Sequence, residues 1–482
     1  MKPEATTIDD ANESSRRVGV SSSRLAFVVV WCSEPGRVGE VIPLPGTTPL
    51  ILGRGAPQPD DPFPRVAPLR QRPGRNERRP PFESPSLSRV QLRFELVTDA
   101  HGTGPAREGV LVVNEGRKPL LGPAGEPVSR LVVRPGQVVE ITRQLSLVCV
   151  RRPEVLPASE NGVRLHTFGE PDDTSVVGES AATWALRDTI AFVGARFAHV
   201  LVLGESGTGK ELCARAIHMR SPRSRQKLVA RNAATLPPGL IDAELFGNVA
   251  NYPNAGMPER PGLVGQADGG TLFLDEIGEL TEELQTRLLR VLDERGEYQR
   301  LGDAKPRSSD FRLVAATNRS VEALRHDVLA RFHLRIALPG LSDRREDVPL
   351  VARALLLRIA ARDAAIGARF FEGWDGAVGE PRFSPALIRA LTQHMYSTHV
   401  RELDGLLWSS LSTSTGGTLE LTPAVETAIQ LEGVKAPQDV SEAEVRAALE
   451  RAGNVKEKAY RELGLTSRHA LRRLMTKWGI AE

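Results

Sequence analysis

The spacing of apolar positions changes along the chain, and each change marks a different kind of structure. Between Leu25 and Val150 the apolar residues fall in short runs: Leu25–Trp31, Val90–Leu96, Val110–Val113, Leu131–Val133, Val138–Ile141 and Leu145–Val150. Gly and Pro turns separate these β-branched runs, which predicts an all-β sandwich. Between Gly55 and Pro85 the chain reads PRVAPLRQRPGRNERRPP, a stretch rich in Pro and charge that predicts a mobile insertion rather than strands. Residues 151–175 lack periodicity and read as a linker. From about Val176 to Gln430 strand patterns alternate with helical ones, the signature of an α/β domain around a parallel sheet. Within it, Glu282–Glu294 places Leu284, Leu288, Leu289 and Leu292 at helical spacing, a core-facing stripe that needs no chemical role. Ser384-Pro385 predicts an N-cap and first turn. After a polar tether, Val440–Arg451, Val455–Leu463 and Ser467–Trp478 predict three helices broken by Gly453-Asn454 and Gly464-Leu465-Thr466. Two helices about a short Gly-bearing turn form a helix-turn-helix. The expected divisions are a disordered 1–23, a sandwich 24–152, a linker 153–175, an α/β unit 176–340, a helical lid 341–430, a linker 431–439 and the helical tail 440–482.

At 482 residues the chain suggests roughly three domains. The net charge of +3 is nearly neutral, so any nucleic-acid surface must be local. Cys32, Cys149 and Cys213 stand far apart without a C-x-x-C pair, which argues for free thiols in a reducing compartment rather than disulfides or zinc. Cys213 reads as a small buried apolar residue. The polar N-terminus lacks a signal-peptide core, and Leu25–Cys32 is far short of the ~20 residues that span a bilayer. The expectation is a cytoplasmic protein with no membrane partner.

The chemistry concentrates after one strand. The run Val200–Leu203 leads into Gly204-Glu205-Ser206-Gly207-Thr208-Gly209-Lys210-Glu211 and then a helical pattern. This is the strand–loop–helix context of a phosphate-binding P-loop. The glycines let successive N–H groups point at one centre, the helix N-terminus adds its dipole, and Lys210 reaches the β/γ-phosphates of ATP. Glu211 stands where the generic motif has Ser or Thr for Mg²⁺. A second strand, Thr271–Leu274, enters through Gly269-Gly270 and ends in Asp275-Glu276. In a P-loop fold these carboxylates arrive near the metal and the γ-phosphate, Asp275 to hold Mg²⁺ and Glu276 to orient and deprotonate water. A third, Phe311–Ala316, delivers Thr317-Asn318 to the same sheet edge, where Asn318 can sense the γ-phosphate.

Residues 176–430 resemble the AAA+ module of the sigma-54-dependent transcriptional activators, or bacterial enhancer-binding proteins. The matching strings are G-E-S-G-T-G-K-E (204–211), E-L-F-G (244–247), A-D-G-G-T-L-F-L-D-E-I-G-E-L (267–280), A-A-T-N-R (315–319), R-R-E-D-V-P-L (344–350) and V-R-E-L (400–403). The resemblance accounts for Glu211, since this family's P-loop ends in Lys-Glu. It implies a ring, usually a hexamer, with ATP at subunit interfaces completed by a neighbour's arginine. Arg325 and Arg331 match the candidate finger positions, though either could be a surface ion-pair partner. Arg401 matches the lid arginine that reports nucleotide state. Asn232 matches the polar switch that pairs with the catalytic glutamate, here Glu276.

The resemblance breaks after Glu-Leu-Phe-Gly. Where the family carries Gly-Ala-Phe-Thr-Gly-Ala, whose Phe and Thr touch sigma-54, this chain reads Asn251-Tyr252-Pro253-Asn254-Ala255-Gly256. Pro and Asn offer little apolar contact and favour a turn, so direct sigma-54 remodelling is expected to be weakened, redirected or absent. Tyr396-Ser397-Thr398-His399 also departs, from the family's Trp-Pro-Gly-Asn.

Two further resemblances flank the module. The order Gly-Asn, Lys-Ala, Leu-Gly-Leu-Thr-Ser and Leu-Arg-Arg-Leu resembles the Fis-type DNA-binding domain. Ser467, Arg468, His469 and Arg472 are then the expected base or groove contacts, with Arg473 and Lys477 on phosphates of promoter or enhancer DNA. In the sandwich, Leu52-Gly53-Arg54, Leu87-Ser88-Arg89-Val90-Gln91 and Val113-Asn114-Glu115-Gly116 resemble the loops of forkhead-associated domains, with Gln91 in place of the usual His. Arg54, Ser88 and Asn114 would hold a phosphothreonine partner; a fold kept without phosphopeptide binding stays open beside that reading. The expected fold is therefore multidomain: an all-β sandwich, an α/β AAA+ P-loop ATPase with helical lid, and an α-helical helix-turn-helix. The expected function is ATP-dependent regulation through sigma-54 RNA polymerase. The alternative is a DNA-binding switch that uses ATP for oligomerisation without acting on sigma-54, and a metabolic P-loop enzyme stands third.

Overall fold

A computed structural model describes residues 23–44, 46, 49–99, 107–237, 239–252, 254–293, 296–319, 324–431, 441–453, 455–463, 465, 471–472, 474–475, 478 and 480. Its N-terminal part is built from strands β1 (Arg24–Cys32), β2 (Val41–Pro43), β3 (Leu50–Leu52), β4 (Leu69–Arg72), β5 (Arg75–Arg78), β6 (Leu92–Asp99), β7 (Arg107–Asn114), β8 (Leu120–Leu121), β9 (Pro127–Val128), β10 (Arg130–Val133), β11 (Val138–Ile141) and β12 (Leu145–Arg152). They form one sheet in the order β5-β4-β2-β1-β12-β11-β8-β9 and a second in the order β10-β7-β6-β3. Phe27, Val29, Leu147 and Cys149 of the first pack with Leu92, Phe94, Val110 and Val112 of the second in one core.

The segment expected to be a mobile insertion is ordered. Its Leu69–Arg72 and Arg75–Arg78 pair as an antiparallel hairpin at the sheet edge, in register Leu69↔Arg78 to Arg72↔Arg75. The charge that argued against strands is paired here. Arg79 Nε donates to Glu40 Oε1 at 3.0 Å, Arg70 lies 3.5 Å from the same oxygen, and Arg70 stacks on Phe168. An edge strand tolerates this composition because only one side of its backbone must pair.

β1 is apolar on both faces because both are covered. Phe27 and Val29 face the interior of the β domain, whereas Ala26, Val28 and Val30 face Ile388 on the helix Pro385–Gln393. Ser384 caps that helix by accepting from Leu387 N–H, as its sequence predicts. Trp31 Nε1 donates to Phe383 O at 2.9 Å, and Val138 N–H donates to Gln393 Oε1 at 2.9 Å. Residues 153–175 carry no helix or strand, yet they are anchored: Leu156 is buried, and Arg72 Nη2 donates to His166 O.

The central domain has a parallel sheet of β13 (Val200–Leu203), β14 (Leu228–Asn232), β15 (Thr271–Asp275), β18 (Arg312–Thr317) and β19 (Leu334–Ala337) in the order β14-β15-β18-β13-β19. The two-residue strands β16 (Glu297–Tyr298) and β17 (Arg307–Ser308) form a separate ribbon. Alternate residues of the main sheet serve opposite cores: Leu201, Leu272, Leu274, Leu313 and Ala315 on one face, Val200, Val202, Phe273, Val314 and Ala316 on the other. Cys213 joins the second core, and all three cysteines are free and buried. The lid packs the helices Val348–Ala360, Pro385–Gln393 and His399–Thr413 around a further core. There Tyr396, standing in the divergent Tyr-Ser-Thr-His string, is buried and donates from its hydroxyl to Leu391 O at 2.8 Å. The tail contributes helices Glu442–Arg451 and Lys456–Glu462 with their own apolar cluster, which also takes in Leu471, Leu474 and Met475. Among the described residues no helix is long and apolar enough to cross a membrane.

Candidate nucleotide site at the carboxyl edge of the parallel sheet

β13, β15 and β18 are neighbours in register, so the loops that leave them converge at one edge. The P-loop follows β13. Gly207 and Gly209 have φ of +81° and +100°, values a side chain would resist, and a Cβ on Gly207 would lie 2.0 Å from Thr398 O. Thr208 Oγ1 donates back to Glu205 O at 2.8 Å, closing the loop before the helix Lys210–Met219 begins. The side chain of Lys210 is almost wholly buried. Its ammonium donates to Gly204 O at 3.2 Å and Glu205 O at 3.4 Å and lies 3.4 Å from Glu276 Oε1. Glu211 faces away from this centre and pairs with Arg215, 2.8 Å away.

Glu276 leaves its strand with φ of +53°, a strained position for a non-glycine residue. The turn aims one carboxylate oxygen at Lys210 and lets the other accept the Asn318 N–H at 3.1 Å. Asp275 is half-buried. Burial, then the neighbouring Glu276 charge, holds its carboxyl above the ordinary Asp value, while Lys210 pulls in the opposite direction. The expected pairing of Asn232 with Glu276 is not observed. Asn232 and Asp275 are register partners on β14 and β15, and Asn232 Nδ2 lies 3.4 Å from Asp275 Oδ2. Glu276 has already turned away from that line, so the amide meets the aspartate instead.

The lid closes over the loop. Val400 N–H donates to Gly207 O at 3.1 Å, and Arg401 Nη1 donates to Ser206 Oγ at 2.8 Å. Arg325 and Arg331 are surface residues held in ion pairs, Arg325 with Asp327 at 2.9 Å and Arg331 with Asp293 at 2.6 Å. The divergent loop is folded at its base: Asn248 Nδ2 donates to the carbonyls of Val249, Tyr252 and Pro258. Pro253 lies outside the described residues, and Tyr252 is 41% exposed beside Gly302.

In the β domain the three loop motifs meet at one edge. Arg54 N–H donates to Ser88 O at 2.9 Å, and Arg54 is exposed. Gln91 is fully buried. Its Nε2 donates to Asn114 Oδ1 at 2.8 Å and Lys118 O at 3.0 Å, and its Oε1 accepts Ser88 N–H at 3.2 Å. The residue that departs from the forkhead-associated pattern thus ties the Ser88 and Asn114 loops together. Of the residues expected to contact DNA, Ser467, Arg468, His469, Arg473 and Lys477 lie outside the described residues, and Arg472 is half-buried. Sequence reasoning missed Gln91 as a tie, the β4–β5 hairpin, and the contact of His399 with Glu205 of the P-loop.

Residues 176–338 match the family model described as the Sigma-54 interaction domain. The chain is 37% identical to the transcriptional regulatory protein ZraR of Klebsiella oxytoca over 315 residues, 62% of this chain and 68% of that one. It is 38% identical to the Nif-specific regulatory protein of Azotobacter vinelandii over 63% of this chain and 59% of that one. It is 38% identical to the DNA-binding transcriptional regulator NtrC of Escherichia coli over 48% of each. The chain therefore spans between about half and two thirds of the length of these relatives. Residues 176–338 are a Sigma-54 interaction domain built on a P-loop α/β sheet, and the helical lid follows them. The chain belongs to the sigma-54-dependent transcriptional activators.

Proposed function

We propose that the chain is an ATP-hydrolysing regulator that works a sigma-54 RNA polymerase at DNA sites chosen by its tail. The observation that carries this reading is the convergence of Lys210, Asp275, Glu276 and the Asn318 N–H at one sheet edge, beneath Arg401 of the lid. Lys210 and the P-loop N–H groups would hold the phosphates of ATP. Glu276 accepts a proton from water as the water oxygen bonds the γ-phosphorus and the bond to the leaving ADP oxygen breaks. Among the described residues there is no cluster of three His, Cys, Asp or Glu side chains able to cage a metal. The adjacent carboxylates Asp275 and Glu276 fit Mg²⁺, which binds through one or two carboxylates plus substrate phosphates, with Asp275 as its protein ligand. Bound there, Mg²⁺ would neutralise charge on the phosphate oxygens. Arg325 or Arg331, both at the surface, would complete a neighbour's site in a homohexameric ring. The tail would bind promoter or enhancer DNA through Ser467, Arg468, His469, Arg472, Arg473 and Lys477. The β domain would act as a forkhead-associated type sensor, with Arg54, Ser88 and Asn114 facing a phosphothreonine partner and Gln91 holding two of those loops in place. The test is ATP-dependent binding of sigma-54 holoenzyme to the purified protein, beside a Glu276→Gln variant that retains ATP without turnover. No ATP-dependent binding in either protein would sink the sigma-54 part.

A second reading rests on the loop at 251–256. With Tyr252 beside Gly302 and Asn254 in place of the family's Thr, ATP would drive oligomerisation on DNA without engaging sigma-54. Promoter occupancy and transcript output in cells lacking sigma-54 separate the two readings.

A further inference from the structure

The junction between the lid helices Pro385–Gln393 and His399–Thr413 touches the P-loop through consecutive residues, and one of them departs from the family's string. His399 opens the helix His399–Thr413 with φ of +49°, a left-handed conformation uncommon for a non-glycine residue. It is 4% exposed although it carries a polar ring. Both ring nitrogens are engaged. Leu341 N–H donates to His399 Nδ1 at 3.3 Å, and His399 Nε2 lies 3.0 Å from Glu205 Oε2. Since Nδ1 accepts, the ring proton sits on Nε2 and is donated to the Glu205 carboxylate. Gly340 makes room: a Cβ there would lie 2.5 Å from His399 Cε1.

We propose that His399 is a positioning residue that ties the lid, the α/β-to-lid connection at Gly340–Leu341 and the P-loop into one unit. Its task is to hold the Glu205 side chain turned away from the phosphate centre. The reason is electrostatic. Glu205 lies in the loop whose N–H groups would face the phosphates, and an unrestrained carboxylate there would repel a polyanion. A hydrogen bond from Nε2–H is charge-assisted and therefore among the stronger neutral-donor contacts. Val400 N–H and Arg401 fasten Gly207 and Ser206 at the same time, so the three lid residues grip three successive P-loop residues. Rotation of the lid must break the His399–Glu205 contact. The P-loop then loses its fixed shape in the same movement.

This inference rests on the ATPase reading above, and the experiment separates the two. ATP titrations of turnover are run on the full chain, with melting curves, for wild type, His399→Leu, His399→Asn, Glu205→Gln and the double variant Glu205→Gln/His399→Leu. Asn keeps a donor and an acceptor and tolerates positive φ. His399→Leu is expected to raise KM for ATP roughly tenfold while kcat changes less than twofold, the loss of one charge-assisted hydrogen bond. His399→Asn should restore most of the affinity. Glu205→Gln, which removes the repulsive charge, should make KM nearly insensitive to a further His399→Leu change. Equal KM in wild type and His399→Leu overturns the inference, as does a parallel loss of kcat and melting temperature that Asn does not rescue. A wild-type protein that does not turn over ATP overturns the ATPase reading itself.

Discussion

Lys210 Nζ lies 3.4 Å from Glu276 Oε1, so the P-loop cation and the carboxylate proposed to activate water are in direct electrostatic contact. The pair divides one site into a binding half and a chemical half. Lys210→Ala should abolish measurable ATP binding and leave Asp275 and Glu276 as adjacent, uncompensated carboxylates. Glu276→Gln keeps the size and the acceptor for Asn318 N–H but not the base. Turnover should fall about 10²–10⁴-fold with ATP affinity retained. Equilibrium ATP binding beside steady-state phosphate release checks both outcomes.

Asp275 gives a pH signature. Burial, then Glu276, raises its folded pKa above the ordinary 3.8, so the folded protein binds the Asp275 proton more tightly than the unfolded chain does. Stability from this group is present at low pH and is lost as pH rises from the ordinary value through the raised one. Asp275→Asn should therefore raise the melting temperature of the nucleotide-free protein at neutral pH while lowering Mg²⁺-dependent turnover about 10²-fold or more. Melting curves and Mg²⁺ titrations of turnover measure the two opposed effects.

The β4–β5 hairpin joins the β domain to the ATPase module. Arg72 sits 3.5 Å from Glu179, donates to His166 O and stacks between Phe168 and Trp184. Arg72→Ala should loosen that junction and speed tryptic cleavage after Arg152, which is buried in the intact protein. Mass spectrometry of timed digests reads the site directly, and an unchanged cleavage rate would show that the hairpin does not hold the junction.

The strings that carry the nucleotide chemistry were legible because each is local. A P-loop needs glycines at fixed spacing, and Asp275-Glu276 needs only a strand to deliver it. The strand runs were legible for the same reason, although β1 extended to Arg24–Cys32 and Val41–Pro43 escaped notice. What failed depended on partners far along the chain. The charges of 69–79 look unfit for strands until Glu40, Phe168 and Glu179 are beside them. Gln91 departs from the motif by sequence, yet its amide reaches Ser88, Asn114 and Lys118. The family pattern pairs Asn232 with Glu276, yet strand register puts it opposite Asp275. His399 reaches Glu205 across nearly the whole module, and nothing local in the sequence announces that contact.

Arg152 and Glu346 couple β12 to the start of the lid. Their charged groups lie 3.6 Å apart, and both side chains are almost fully buried. Burial pushes the Glu346 carboxyl up to about 7, while Arg152 draws it down and Asp347 raises it. Because the folded value exceeds the ordinary 4.5, stability from this group is full below the ordinary value and is lost as pH climbs to about 7. Arg152→Met should cost about 3–5 kcal/mol, the usual result of stranding one partner of a buried pair, and should extend the loss above pH 7. The double change Arg152→Met with Glu346→Gln should recover much of that cost. Chemical denaturation between pH 5 and pH 8.5 provides the comparison.

In the proposed function the loop at 251–256 would set what the ATPase moves. Its base is fixed by the Asn248 amide, and its one aromatic, Tyr252, is partly exposed beside Gly302 and Val249. Gly302 has φ of +75°, and a Cβ on it would lie 2.6 Å from the Tyr252 ring. Gly302→Ala should therefore displace the ring without touching the nucleotide site, and Tyr252→Ala should remove the ring altogether. If Tyr252 supplies the apolar grip that the family's Phe supplies, both variants should keep ATP turnover within about twofold and lose most ATP-dependent open-complex formation at a sigma-54 promoter, because a buried aromatic anchor commonly carries 2 kcal/mol or more of a contact. Open-complex formation that survives Tyr252→Ala would move the grip to Asn254 or the loop backbone. Its absence in the wild-type protein, with ATP turnover intact, would instead favour the oligomerisation reading. The altered loop would then mark an activator fold whose ATP cycle sets its assembly on DNA.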